Sequence, residues 1–310
     1  MFQSIDEVIE RFGEQNYICS RAIATVVYLS VHLKKPILVE GPAGVGKTEL
    51  AKVLAAALGH KLLRLQCYEG LDEAKALYEW EYAKQMLYTQ ILKDKLGEVL
   101  GGAETLHAAL DQLHDFGDVF FSKEFVEPRP LLQALEQQKG CVLLVDEIDK
   151  SDAEFESLLL EILSDFQVTI PELGTVSAVT SPTVILTSNS ERDLGDALKR
   201  RCLHLHIGFP EQRLEERIVE SRVPNISQTL RRQMVAFIHE LRTLDLKKLP
   251  SVSETIDWAR VLVLLQTAEL GHEIVKDTLN VLLKYETDIE AALPQVSTFV
   301  AKAARQNVFG

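Results

Sequence analysis

The stretch that most constrains this chain runs from Pro36 to Leu54, PILVEGPAGVGKTELAKVL: a short apolar run, a glycine-rich loop, then a helix-forming segment. Gly41, Gly46, Lys47 and Thr48 fit the spacing G-x-x-x-x-G-K-[ST], which cradles phosphate. Glycine lets the backbone wrap closely enough for successive N–H groups to point at one anion. Gly41, Pro42, Ala43, Gly44, Val45 and Gly46 are therefore candidate phosphate contacts. Lys47 brings a mobile charge for the β- and γ-phosphates and Thr48 a hydroxyl for Mg²⁺. Glu49 follows them in a helix whose positive end faces the phosphates. With glycine near ~7% of residues, a random chain of this length shows the pattern roughly once in a hundred. The preceding ILVE supplies the strand that the motif requires.

A second motif turns binding into chemistry. CVLLVDEID is an apolar run ending in acids, and a strand apolar on both faces belongs inside a parallel sheet covered by helices. Asp146 and Glu147 then fall at its C-terminal end, the edge where open α/β sheets bind ligands. Asp146 is placed to hold Mg²⁺ with Thr48, usually through a water. Glu147 reaches past the metal to take the proton of an attacking water.

Along the chain, Ser4 and Glu7 read as a capping box opening a helix that closes near Gly13. Asn16 to His32 reads as a second helix. Tyr17 and Ile18 lie where P-loop proteins often hold adenine, although two apolar residues on a helix are more often core than base-binding. KLLRLQC (Lys61 to Cys67) reads as a strand, and Leu71 to Leu96 as a helical segment carrying Tyr78, Trp80, Tyr82 and Tyr88. The pattern breaks at Gly97 to Gly102, and helical turns resume to about Leu113. Pro128 and Pro130 bracket the start of another helix. Ser151 and Glu154 read as a capping box for Ala153 to Leu163. FQVTIPELGTVSA (Phe166 to Ala178) reads as a β-hairpin turning through Pro171 and Gly174. PTVILTSNS is a further core strand, DALKRRC a short basic-ended helix and LHLHIGF the last strand. His204 and His206 share a face of that strand but lack a third metal ligand nearby. After Pro210 the chain is helical to about Val308, with Ser251 and Glu254 capping one helix. The fold class expected is an α/β P-loop core over residues 1–210 followed by an all-helical lid over 211–310.

A length of 310 residues is consistent with about two domains. The net charge of −13 argues against a duplex-DNA binder, which would neutralise phosphates with clustered Lys and Arg. MFQSIDEVIE lacks the basic and apolar segments of a signal peptide, and no apolar run reaches the length of a membrane span. Cys19, Cys67, Cys141 and Cys202 form no C-x-x-C pair, so reduced thiols and a cytoplasmic location are expected.

The combination GPAGVGKT, LLVDEID, LTSNSERDLGDALKRRC and WAR resembles the AAA+ ATPases. Within them it resembles the MoxR family, in the branch associated with carbon monoxide dehydrogenase and related molybdenum hydroxylases. CYEGLDEAKALYEWEYAKQ and EILSDFQVTIPELGTV are the most branch-specific stretches. The resemblance implies ATP and Mg²⁺ as ligands, with a Walker A at Gly41 to Thr48 and a Walker B at Asp146 and Glu147. It also implies sensor 1 at Asn189, an arginine finger at Arg201 with Arg200 as the neighbouring alternative, and sensor 2 at Arg260. A homo-oligomeric ring, usually a hexamer, is implied, as are a von Willebrand A-domain partner and a metalloenzyme client. The helical insertion and the hairpin become surfaces for gripping that client. Two other functions compete: a nucleic-acid motor, disfavoured because FQVTIPELGTVSA holds no basic residue, and a nucleotide-gated scaffold with little turnover.

Overall fold

In the computed structural model the described residues are 1–88, 90–91, 123–170 and 174–305. Five strands, β1 (Ile37–Glu40), β2 (Lys61–Gln66), β5 (Cys141–Asp146), β8 (Thr183–Ser188) and β9 (Leu203–His206), form one sheet in the order β2-β5-β8-β1-β9. Every pairing in it is parallel. Alternation along the strands feeds two cores. Leu143 and Val145 of β5, Leu38 of β1 and Leu186 of β8 pack on one face, whereas Val142, Leu144, Ile37, Val39 and Ile185 pack on the other. The second face is covered by α1 (Ile5–Glu14), α2 (Arg21–Leu33) and α3 (Lys47–Leu58), through residues such as Phe12, Val27 and Leu54. The first is covered by α4 (Glu73–Leu77), α5 (Pro130–Glu136), α6 (Ala153–Asp165) and α7 (Asp196–Arg201). Both faces being dry is what lets β5 be apolar from Cys141 to Val145, each buried Leu or Val contributing about 1.5–3 kcal/mol.

A helical region follows: α8 (Gln212–Arg222), α9 (Gln228–Leu241), α10 (Val252–Leu264), α11 (His272–Leu282), α12 (Glu286–Ala292) and α13 (Val296–Arg305). Its core is separate, built around Trp258 and Phe237, and the Trp258 indole donates to Thr278 Oγ1 at 2.8 Å. The capping box of Ser251 and Glu254 opens α10 as the sequence predicts. Among the described residues no helix is long and apolar enough to cross a membrane.

Several local expectations are corrected. α2 begins at Arg21 rather than Asn16, because the Ser20 hydroxyl caps it by accepting the Ile23 N–H and Asn16 is in a left-handed turn at φ 57°. Tyr78–Trp80 is a strand, β3, inside the stretch read as helix. It pairs antiparallel with β4 (Val126–Pro128), where aromatic side chains suit a pleated edge. Helix resumes at residues 82–88, and the Gly97–Gly102 break and the turns to Leu113 lie outside the described residues. The cap of α6 is Asp152, whose carboxylate accepts the Phe155 N–H at 2.8 Å, while the Ser151 hydroxyl turns back to the Ile148 carbonyl. The hairpin forms from β6 (Gln167–Ile170) and β7 (Gly174–Ser177), with its Pro171 turn outside the described residues. Val168 and Ile170 are buried and fix it to the core, leaving Thr169, Thr175 and Ser177 outward. The stretch running toward Val308 forms two helices, α12 and α13, and Val308 lies beyond the described residues.

Candidate nucleotide site

The loop between β1 and α3 lies against two other elements, which explains its glycines. Gly41 has φ 149° and Gly44 φ 76°; a Cβ on the first would run into the Ile207 carbonyl, and on the second into the Ser251 hydroxyl of the helical region. The helical region is thus seated on the loop, and Ser253 donates to the Gly44 carbonyl from both its N–H and its hydroxyl, each at 3.3 Å. α3 starts at Lys47, so its unpaired N–H groups open into the loop.

Lys47 is buried, and its ammonium is shared among the carbonyls of Gly41 (2.5 Å) and Pro42 (2.8 Å) and the Asn189 side-chain oxygen (2.8 Å). Burial pushes the Lys47 pKa below its ordinary value, while the charges of Asp149, Asp146 and Glu147 pull it back up. The cation is therefore held in place by acids behind it and by neutral oxygens that a more strongly accepting phosphate can replace.

Asp146, at the end of β5, is only 3% exposed. Its Oδ1 accepts from the Thr187 hydroxyl at 2.5 Å and from Thr48 at 3.1 Å; its Oδ2 lies 3.2 Å from the Thr48 hydroxyl. Oxygen donors from a hydroxyl and a carboxylate, set side by side, fit a hard divalent cation such as Mg²⁺. Glu147 comes next in the strained left-handed region at φ 57°. Its N–H is tied to Thr187 Oγ1 at 2.9 Å, and its carboxylate takes hydrogen bonds from Gln66 (2.9 Å) and Lys150 (2.6 Å). Asn189 follows β8, which pairs directly with β5. The N–H groups of Asn189 and Glu191 both donate to Asp149 Oδ2 at 3.0 Å, so a buried carboxylate fixes the loop that carries the Asn189 amide.

Ala43, Gly44, Gly46, Lys47, Thr48, Glu49, Asp146, Glu147 and Asn189 line one cavity of about 230 Å³. A second cavity, about 550 Å³, adjoins it between the α/β part and the helical region. Tyr17, Ile18, Val45 and Ile256 line it, as does Arg260, whose guanidinium is paired with Asp257 at 3.1 Å and is more than half exposed. Glu49 borders both cavities and is bonded across the junction to Arg222 of α8 at 2.7 Å. Arg201 lines neither; it ends α7 exposed, with its Nε donating to Ser164 Oγ at 2.7 Å. Among the described residues no cluster of three or more His, Cys, Asp or Glu has metal-binding geometry, so His204 and His206 gain no third ligand; His204 pairs with Glu40 at 2.9 Å.

Thr187, Asp149, Gln66, Arg64 and Arg222 are site residues that the sequence reading missed. One signal was available: in KLLRLQ the polar Arg64 and Gln66 alternate with Leu63 and Leu65, which aims both at the strand end beside Asp146 and Glu147. Asp149 carries no such signal, since a third acid after DE looks like a surface residue until the β8 loop folds onto it.

A strand, a phosphate-type loop, a helix, and an acid pair at the end of a parallel strand one place removed in the sheet define a P-loop nucleotide-binding fold. Residues 36–202 match the family described as AAA domain (dynein-related subfamily), and the chain belongs to that family of AAA+ ATPases. It is 27% identical over 210 residues to the chaperone protein ClpB of Mycoplasma pneumoniae, covering 63% of this chain and 25% of that one. It is 24% identical over 203 residues to midasin of Dictyostelium discoideum, covering 63% of this chain and 3% of that one. This chain therefore spans a quarter or less of those relatives. An uncharacterised protein of Staphylococcus haemolyticus is 23% identical over 75% of this chain and 77% of its own length. Among solved structures, a Thermotoga maritima RuvB variant aligns at TM-score 0.49 and 16% identity, covering 90% of this chain and 73% of its own.

Proposed function

We propose that this chain is a Mg²⁺-dependent ATPase of MoxR type, with residues 1–210 as the catalytic core and 211–310 as a lid. The observation that carries the reading is the convergence of Lys47, Thr48, Asp146, Glu147 and Asn189 on one small cavity beside a larger, mostly apolar one. The larger cavity has the volume of a ligand pocket and suits a purine against Tyr17 and Ile18; the smaller suits the phosphates. Thr48 and Asp146 would hold Mg²⁺, which supplies charge neutralisation to the phosphates. Glu147 takes the proton from water as the water oxygen bonds to the γ-phosphorus and the bond to the β-γ bridging oxygen breaks, releasing ADP. Asn189 orients that water and the γ-phosphate.

The finger, Arg201, lies outside its own chain's cavity, which supports a site completed by a neighbour in a ring, a hexamer in this reading. Arg260 borders the purine-side cavity and reports the nucleotide to the lid. The client is a metalloenzyme of the molybdenum hydroxylase class, presented by a von Willebrand A-domain partner. The test has two arms. Purified protein releases phosphate from ATP only with Mg²⁺; absence of release refutes the ATPase. Affinity capture with the ATP-loaded Glu147→Gln variant retains the partner and client; recovery of nucleic acid in their place refutes the chaperone assignment.

A further inference from the structure

The Asp146 carboxylate already carries a cation. Arg64 Nε and Nη2 both donate to Asp146 Oδ2, at 3.1 and 2.6 Å, and among the described residues Arg64 is the cation hydrogen-bonded to this acid. Of the lysines lining the cavity, Lys47 spends its hydrogen bonds on Gly41, Pro42 and Asn189, and Lys52 pairs with Glu49. We propose that Arg64 is the counter-cation of the metal site: its guanidinium neutralises Asp146 until a divalent cation displaces it, and so sets how much metal the site needs. The inference rests on the nucleotide-site reading above.

Asp146 is 3% exposed, and a carboxylate so far from water must be paired or it carries a desolvation penalty. Oδ1 takes the short Thr187 bond, the Thr48 hydroxyl is shared between Oδ1 and Oδ2, and the cationic partner, Arg64, sits on Oδ2. A guanidinium and a divalent cation repel each other, so the bond to Arg64 weakens metal binding at that oxygen. Arg64 is also free to leave. It stands on β2, at the sheet edge, with its side chain 50% exposed, so water replaces the lost bond. A second contact keeps it in place meanwhile: Nη2 donates to Gln66 Oε1 at 2.5 Å, and the Gln66 amide in turn donates to Glu147. A merely structural arginine predicts the opposite outcome, because removing it would disorder Asp146 and weaken metal binding.

The experiment uses the full chain with ADP and Mn²⁺, following free Mn²⁺ by electron paramagnetic resonance at one ADP concentration. Mn²⁺ binding to free ADP is then common to every variant. Arg64→Ala and Arg64→Gln should each bind Mn²⁺ about tenfold tighter than wild type, the lower end of what a charge-assisted hydrogen bond is worth. Arg64→Lys, which keeps the charge, should stay within about threefold. Melting curves without metal establish that each variant is folded, and the Gln variant keeps the arginine stem should Ala fail. Mn²⁺ affinity unchanged or weaker in both neutral variants overturns the inference alone. No Mn²⁺ uptake by wild type overturns it together with the nucleotide-site reading.

Discussion

Replacing Glu215 should loosen the helical region from the nucleotide loop, and the effect should fade with acid. Glu215 is fully buried at the start of the helical region and gathers three elements. Its carboxylate accepts from Arg242 at 2.6 and 2.8 Å, from His239 at 2.9 Å and from Thr255 at 2.7 Å. Arg242 in turn donates to the Pro250 carbonyl and lies over the Phe209 ring at the junction. Thr255 belongs to α10, whose Ser251 and Ser253 lie on Gly44 of the loop. Burial alone would raise the Glu215 pKa; the hydrogen bonds from His239 and Arg242 and the Arg242 charge outweigh it and hold the value at about 2, against 4.5 unperturbed. A depressed folded value means stability that is complete above the unfolded pKa and lost as pH falls through 4.5 toward 2. The gap corresponds to about 3 kcal/mol near neutrality, falling to about half that at pH 3. Urea denaturation of wild type and Glu215→Gln between pH 7 and 3 measures it, since titrating groups that do not touch Glu215 cancel in the difference and a His239→Gln background removes the one that does. A stability difference that stays constant over that range refutes the reasoning.

Lys47→Ala should abolish nucleotide binding measured by fluorescent-analogue titration, because it removes the buried cation held against the loop carbonyls; retained affinity would be incompatible with the phosphate site. Arg222→Ala cuts the Glu49 bridge between α8 and α3 and should weaken nucleotide binding up to about fivefold, the range of a partly exposed ion pair, with unchanged affinity counting against a lid role. Arg201→Ala should bind ATP normally yet lose turnover by roughly 10³-fold or more. Mixing it with Glu147→Gln subunits should restore activity, since each supplies what the other lacks; no recovery despite co-assembly would move the finger to Arg200 or to the same subunit.

The Walker motifs were legible because their chemistry is local in sequence: a glycine loop and a strand-end acid pair need no knowledge of partners. The sheet was legible for the same reason, β5 being too apolar to face water on either side. The rest depends on long-range contacts. The aromatic residues of Tyr78–Trp80 favour strand only weakly against the helix-forming residues around them, and the partner that decides, Val126–Pro128, lies far along the chain. Ser151 and Asp152 compete for one cap, and tertiary packing decides by drawing Ser151 to the Ile148 carbonyl. Thr187 reads as one more β-branched strand residue, yet its hydroxyl ties Asp146 to Glu147. Arg201 and Arg260 illustrate the opposite limit: family pattern picks them out, and neither borders the phosphate-side cavity of the single chain.

In the proposed mechanism Glu147 is the base in a site otherwise competent to hold ATP. Single-turnover measurement with γ-labelled ATP tests it most directly, following nucleotide retention and phosphate release in the same Glu147→Gln sample. ATP should be retained at wild-type occupancy with phosphate release reduced by at least ~10²-fold, the contribution of a positioned general base. Phosphate release at the wild-type rate would contradict it.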